Sequence, residues 1–222
     1  SHAAVGAPAT WVLSNHDVVR TVTRYGGGVA GHRRARAAAL LMFALPGSAY
    51  VYQGEELGLP AVADLPDSAR QDPTFRRTGG ALPGRDGCRV PIPWDAERPA
   101  CGFSPTGASW LPQPKDWSLL SRDRQQRDGS SMLHLYRRAI ALRRSLGTAA
   151  PGAAPFEWLD LGPDVLAFSR GSFVSLTNLG PTPVRLPGPG EVVLSSDPAA
   201  SDRTTSERTV ATDVTVWFEP SA

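Results

Sequence analysis

Strand, helix and strand follow one another within the first fifty-odd residues, and that order leaves few folds open. Thr10-Trp11-Val12-Leu13-Ser14 is a short, largely apolar run of the kind that fills a buried parallel strand. Ala37, Leu40, Leu41 and Ala44 then recur at helical spacing. They predict a helix from near Gly31, through Arg33, to Leu45, which Pro46-Gly47 stops. Ala49-Tyr50-Val51-Tyr52 reads as a second strand. Parallel strands joined by a crossover helix form a βαβ unit, which implies a parallel sheet.

A proline-rich stretch from Pro60 to Pro114 follows, far longer than an ordinary connection, and loops of that length are commonly functional. A second helix is expected from about Ser131 to Leu146. Met132, Leu135, Ala139, Leu142 and Leu146 form its apolar stripe, Ser130 or Ser131 its cap, and Gly147 its stop. Arg143 and Arg144 suit the negative end of that helix. After Pro151 the texture changes to short β-rich runs: Phe156–Leu159, Val165–Phe168, Phe173–Leu176, Val192–Leu194 and Val214–Phe218. Spacers such as Asn178-Leu179-Gly180 separate them, so a small antiparallel sandwich is expected. The sequence thus reads as α/β over residues 1–147 and all-β over 148–222.

Composition removes several function classes. A formal net charge of +2 gives no strong pull toward nucleic acid or a membrane surface, and no apolar run reaches the ~20 residues that span a bilayer. The N-terminus lacks a signal pattern and reads as an internal cut, and a cytoplasmic location is expected. Cys88 and Cys101 are too few for a disulfide scaffold; they can pair, but two free thiols fit a reducing compartment better. His2, His16, His32 and His134 show no metal-ligand spacing with the cysteines, so neither metal nor cofactor is expected. The run from Gly26 to Gly31 fits a dinucleotide-binding pattern, yet Asp17 to Tyr25 intervene between it and the strand, where a true fingerprint begins at once.

Asn15-His16-Asp17 stands where the first strand meets a loop, the place where a parallel barrel collects catalytic side chains. In an ideal strand His16 and Asp17 face opposite ways, so both address one ligand only if the backbone leaves strand geometry there. The plain alternative is a turn in which Asn15 or Asp17 bonds its own backbone. Arg20 follows and can bind a hydroxyl or a carboxylate. Glu55 and Glu56 close the second strand, and a structural role in tying down loops is expected of them. Arg85, Asp86 and Arg89 lie in a stiff stretch, Gly84-Arg85-Asp86-Gly87-Cys88-Arg89-Val90-Pro91-Ile92-Pro93-Trp94, suited to holding an arginine fork in place. Trp94, Phe103, Trp110 and Trp117 either offer sugar-stacking faces or plug the underside of the loop.

Together these segments resemble the α-glucosidase and oligo-1,6-glucosidase branch of the α-amylase superfamily, of bacterial type. Ser14 to Arg20 is similar to that family's motif at the seventh strand of a (β/α)8 barrel. Leu45 to Gly58 is similar to its eighth strand and the turn beyond, Gly84 to Trp94 to its pocket-walling loop, and Leu135 to Arg144 to its last barrel helix. The resemblance implies the last two βα units of the barrel followed by the sandwich, and a retaining mechanism on terminal α-linked glucose of maltose- or isomaltose-type oligosaccharides. It gives Asp17 the part of transition-state stabiliser, His16, Arg20 and Arg89 that of sugar ligands, and Asn15, Glu55 and Glu56 a place near the site. The nucleophile and the acid/base match no residue here, so this chain alone is expected to be inactive. A trehalose synthase, a sucrose-active relative and a non-catalytic interaction domain are the other readings.

Overall fold

The computed structural model describes residues 9–145, 156–201 and 208–221. Along the chain it runs β1 (Thr10–Val12), α1 (Thr21–Arg24), α2 (Gly28–Ala44), β2 (Ser48–Tyr50), α3 (Pro73–Arg77), α4 (Arg122–Arg127) and α5 (Met132–Ser145). It continues with β3 (Phe156–Leu159), β4 (Val165–Arg170), β5 (Phe173–Asn178), β6 (Val184–Arg185), β7 (Gly190–Ser195), β8 (Thr209–Val210) and β9 (Val214–Pro220). No helix among the described residues is long and apolar enough to cross a membrane.

Two compact units form. One comprises the chain up to Leu13, Arg33–Tyr50 and the chain from Leu135 onward; the other comprises Ser14–His32 and Val51–His134. The change of texture expected near residues 147–153 lies outside the described residues.

In the first unit β1 pairs β2 in parallel, with Thr10 opposite Ser48 and Val12 opposite Tyr50, as a βαβ unit requires. Trp11 Nε1 donates to Pro46 O at 2.6 Å and fixes the turn that leads into β2. Arg143 stands in the last turn of α5, as expected, and its side chain also reaches another element. It is 7% exposed, and its guanidinium donates to the carbonyls of Phe43, Leu45 and Gly47. Those carbonyls lie at the end of α2 and just beyond it, where no further helical amide arrives to satisfy them. A buried arginine supplies the donors instead.

This unit also holds a five-stranded antiparallel sheet, ordered β3-β4-β5-β9-β7. Alternation along β9 explains its burial. Val214 and Val216 join Ala167, Leu176 and Val210 in one cluster, while Thr215 and Trp217 point the other way, onto α2. There Thr215 Oγ1 donates to Ala37 O at 2.9 Å and Trp217 Nε1 to Leu40 O at 3.1 Å. With both faces covered, every residue of β5 is buried. The antiparallel architecture expected here is present. Among the described residues the two other strands of this region, β6 and β8, form a separate two-stranded ribbon.

In the second unit, loops rather than strands build the core. Leu57, Leu59, Val62, Leu65, Val90, Ile92, Leu111, Trp117 and Leu133 pack together. Gln125 stitches their backbones, donating to Leu57 O at 2.8 Å and Leu120 O at 3.0 Å and accepting from Leu133 N at 3.1 Å. A long loop layer is stable only when its buried peptide groups find partners in this way. Trp117 is 1% exposed and is a core plug, whereas Trp94 and Trp110 stay exposed.

Trp217 anchors sheet to helix, so Trp217→Ala is expected to cost about 3–5 kcal/mol, the usual range for deleting a buried large aromatic. Urea denaturation followed by far-UV circular dichroism measures it.

Candidate active site

The backbone leaves strand geometry at Val12, before the Asn15-His16-Asp17 run begins. Residues 16 and 17 lie in a turn, and Asn15 Oδ1 accepts from Asp17 N at 2.8 Å. Asn15 therefore does what asparagine does in turns, mimicking a backbone acceptor. That local bond does not consume Asp17. Its carboxylate is about half exposed, at 48%, and turns away from the turn toward two arginines.

Arg85 Nη1 donates to Asp17 Oδ1 at 2.8 Å and Arg89 Nη2 donates to the same oxygen at 3.0 Å. His16 Nε2 lies 3.5 Å from the other oxygen, Oδ2. Arg89 also donates through Nε to His16 O at 2.8 Å, and the Cys88 thiol reaches that carbonyl at 3.4 Å. Partial loss of water pushes the Asp17 pKa up, but the Arg85 hydrogen bond, the charge of His16 and the second arginine outweigh it. The net direction is down, so the carboxylate stays ionised at neutral pH. Burial pushes the Cys88 thiol up, leaving it a neutral donor.

Asp72, which sequence reasoning passed over, stands behind this pair. Its side chain is fully buried. Oδ1 accepts from Thr74 N at 2.8 Å, so Asp72 is the N-cap of α3 with Pro73 in the first turn. Oδ2 accepts from Arg85 N at 2.9 Å and from Arg85 Nε at 2.7 Å. The Arg85 bond above all holds the Asp72 carboxyl far below the usual carboxylate range. Asp86, also buried, accepts from the amides of Gln71 and Asp72 at 2.7 and 2.9 Å and so sets the backbone from which Asp72 projects. An Asp directly before a proline at a helix start was the available signal, hidden in a stretch without periodicity.

The remaining expected site residues form a second, buried cluster. Arg20, expected to reach a sugar hydroxyl, is 1% exposed and does not present itself to a ligand. Its Nη1 donates to Gln53 O at 2.9 Å and its guanidinium lies over the Tyr52 ring, 5.2 Å from the centroid. Burial lowers its pKa, against the pull of Tyr52, Cys88, Glu56 and Glu55 nearby. Ser14 Oγ donates to Glu55 Oε2 at 2.6 Å, and Gly54 N donates to Glu56 Oε2 at 2.8 Å. Burial raises the Glu56 pKa, against the bonds from backbone amides and the charge of Arg20. Gly54 itself has φ +85°, and a Cβ there would come within 2.8 Å of both Arg20 Nη1 and Leu59 Cδ1. Tyr52 OH donates to Cys88 O at 3.0 Å and links this cluster to the arginine loop.

The arrangement offers an ionised carboxylate with one oxygen fixed by two guanidiniums and the other turned to an exposed imidazole. That is suited to stabilising a transient cation beside a hydroxylated ligand. Trp110 stands next to it, donating through Nε1 to Arg89 O at 3.4 Å. Among the described residues no group of His, Cys, Asp or Glu is arranged to hold a metal ion, and Cys88 and Cys101 are both free thiols.

Comparison with known proteins adds to this geometry. The Alpha-amylase catalytic-domain family profile matches residues 3–150. A probable α-glucosidase of Rhizobium meliloti (strain 1021) is 39% identical over 163 residues, covering 73% of this chain and 29% of its own length. Maltase A1 of Drosophila melanogaster is 32% identical over 190 residues, covering 80% of this chain and 30% of its own. Among solved structures, the α-glucosyl transfer enzyme XgtA superposes with a TM-score of 0.74 at 31% identity, over 95% of this chain and 40% of that one. A trehalose-6-phosphate hydrolase of Bacillus licheniformis shares the fold, with a TM-score of 0.74 at 22% identity, over 94% of this chain and 42% of that one. The chain thus spans about 30% of the length of these two curated relatives.

Two outcomes are expected. Gly54→Ala forces a left-handed residue into contact with Arg20 and should cost at least about 1–2 kcal/mol, read from chemical denaturation. Asp72 has a depressed folded pKa, so its contribution to stability is present above the unfolded value of about 3.9 and is lost as pH falls through the folded value. Thermal midpoints taken from about pH 5 to about pH 2 should fall more steeply for the wild type than for Asp72→Asn.

Proposed function

The chain belongs to the α-amylase family, and from that premise we propose that it is the C-terminal part of a retaining α-glucosidase releasing terminal α-linked glucose from oligosaccharides. In this reading β1 and β2 are the seventh and eighth strands of the barrel, and the loop from Gly84 to Trp94 walls the sugar pocket. The observation that carries it is the Asp17 carboxylate: ionised, half exposed, and held by Arg85 and Arg89 at 2.8 and 3.0 Å.

In a retaining glycosidase one carboxylate attacks the anomeric carbon while a second protonates the leaving oxygen, through an oxocarbenium-like transition state. Asp17 performs neither step. Its negative charge faces the ring as positive charge develops there, and because the arginines have already fixed it, no reorganisation is needed at that moment. His16, exposed beside it, donates to a hydroxyl of the same glucose. Arg89 closes the pocket around the non-reducing end, which makes the enzyme exo-acting. Arg20 supports from beneath through Gln53 and Tyr52 and does not touch sugar. Glu55 and Glu56 hold the loop beyond the second strand. The nucleophile and the acid/base belong to the part of the parent enzyme that this chain lacks, so the chain alone turns over no glucoside.

A second reading is favoured by the 31% identity to an α-glucosyl transfer enzyme: the glucosyl group passes to an acceptor hydroxyl rather than to water. Both readings use Asp17 identically, and product analysis with a sugar acceptor in excess separates them.

In the full-length protein, Asp17→Asn should lower kcat on maltose or an aryl α-glucoside by roughly 10²- to 10³-fold, the usual loss for one preorganised stabilising group. A near-normal kcat contradicts the assignment. Turnover by the purified 222-residue chain contradicts the division of catalytic groups.

A further inference from the structure

Arg85 is pinned at both ends by one oxygen. Its backbone amide and its Nε both donate to Asp72 Oδ2, at 2.9 and 2.7 Å, which closes a ring running through the side chain. A guanidinium is a planar fork with donors in fixed directions, so once Nε is anchored the aim of Nη1 is set. Here Nη1 is aimed at Asp17 Oδ1, 2.8 Å away. The anchor is itself immobile. The Asp72 side chain is fully buried, its other oxygen caps α3 through Thr74 N, and its backbone is held by Asp86. Gly84, with φ +70°, leaves the space required: a Cβ there would fall 2.7 Å from Asp72 Cβ. Arg89 Nη1 lies 3.9 Å from Asp72 Oδ2, so the buried carboxylate also balances the second arginine.

We propose that Asp72 is a positioning residue for Asp17: acting through the Arg85 fork, it fixes Asp17 Oδ1 and leaves Oδ2 as the oxygen offered to the substrate. Asp72, with no exposed side-chain surface, meets no ligand. Two arginines facing Asp17 without Asp72 would place two positive charges on one carboxylate and repel each other, and the fork would rotate toward solvent. The proposal rests on the reading of Asp17 as the stabiliser of the transition state.

Kinetics of the full-length protein test it with four variants: Asp17→Asn, Asp72→Asn, Arg85→Lys, and Asp17→Asn combined with Asp72→Asn. Asn at position 72 keeps an acceptor for the α3 cap, and Arg85→Lys leaves Asp72 untouched should the first variant fail to fold. Asp72→Asn and Arg85→Lys are each expected to lower kcat roughly 10- to 100-fold with KM little changed, the effect of misplacing a reacting group by a fraction of an ångström. Lysine keeps the charge but not the fork, so it should not rescue. The double variant should be no slower than Asp17→Asn alone, because residues acting as one unit do not add. Wild-type kcat in either single variant, or losses that multiply in the double variant, overturns the positioning role while leaving the Asp17 reading intact. A near-normal Asp17→Asn brings down that reading and this proposal with it.

Discussion

A single carboxylate oxygen, Asp17 Oδ1, takes two guanidinium donors, both supplied by the loop between Gly84 and Trp94. Arg85 and Arg89 flank the short helical turn Asp86–Cys88, and a second negative charge offsets the repulsion between them. Asp72 supplies it from within the loop and Asp86 fixes the backbone of Asp72. Both of these supporting carboxylates are buried, in contrast to the half-exposed Asp17. Asp17 and Asp72 face the two arginines directly, and the arginines help hold the half-exposed Asp17 in its charged form.

Much of this was legible in the chain because regular elements announce themselves by period. The alternation of Val214, Thr215, Val216 and Trp217 fixes which side chains face α2, and the spacing of Ala37, Leu40, Leu41 and Ala44 fixes the helix they meet. β6 and β8 were missed because two residues carry no period at all. The burial of Arg20 was illegible for a different reason. An arginine three residues after a polar run reads as exposed, but its guanidinium lies over the Tyr52 ring and donates to the Gln53 carbonyl, both just beyond the second strand. Arg143 reads as a complement to its own helix end, and nothing in that reading announces that its guanidinium also meets the carbonyls at the end of α2. Asp72 depended on a loop closure of 13 residues that no local pattern encodes.

The two acids beyond the second strand show how adjacency misleads. Glu55 accepts from Ser14, and Glu56 accepts from the Gly54 amide, so each is used by the loops it joins. A retaining pair needs carboxyl groups about 5–5.5 Å apart across a scissile bond, both free to meet it. In the proposed reading this chain contributes the Asp17 carboxylate and the loop beside it, and neither Glu55 nor Glu56 is placed as a cleaving acid.

The most direct measurement is a crystal structure of the full-length protein with a glucose-configured iminosugar, whose ring nitrogen is protonated and stands in for the cationic transition state. The account requires Asp17 Oδ2 at hydrogen-bond distance from that ligand, with Arg85 and Arg89 still on Oδ1. A ligand bound elsewhere, or an Asp17 carboxylate wholly enclosed by the two arginines and turned from the sugar, contradicts it.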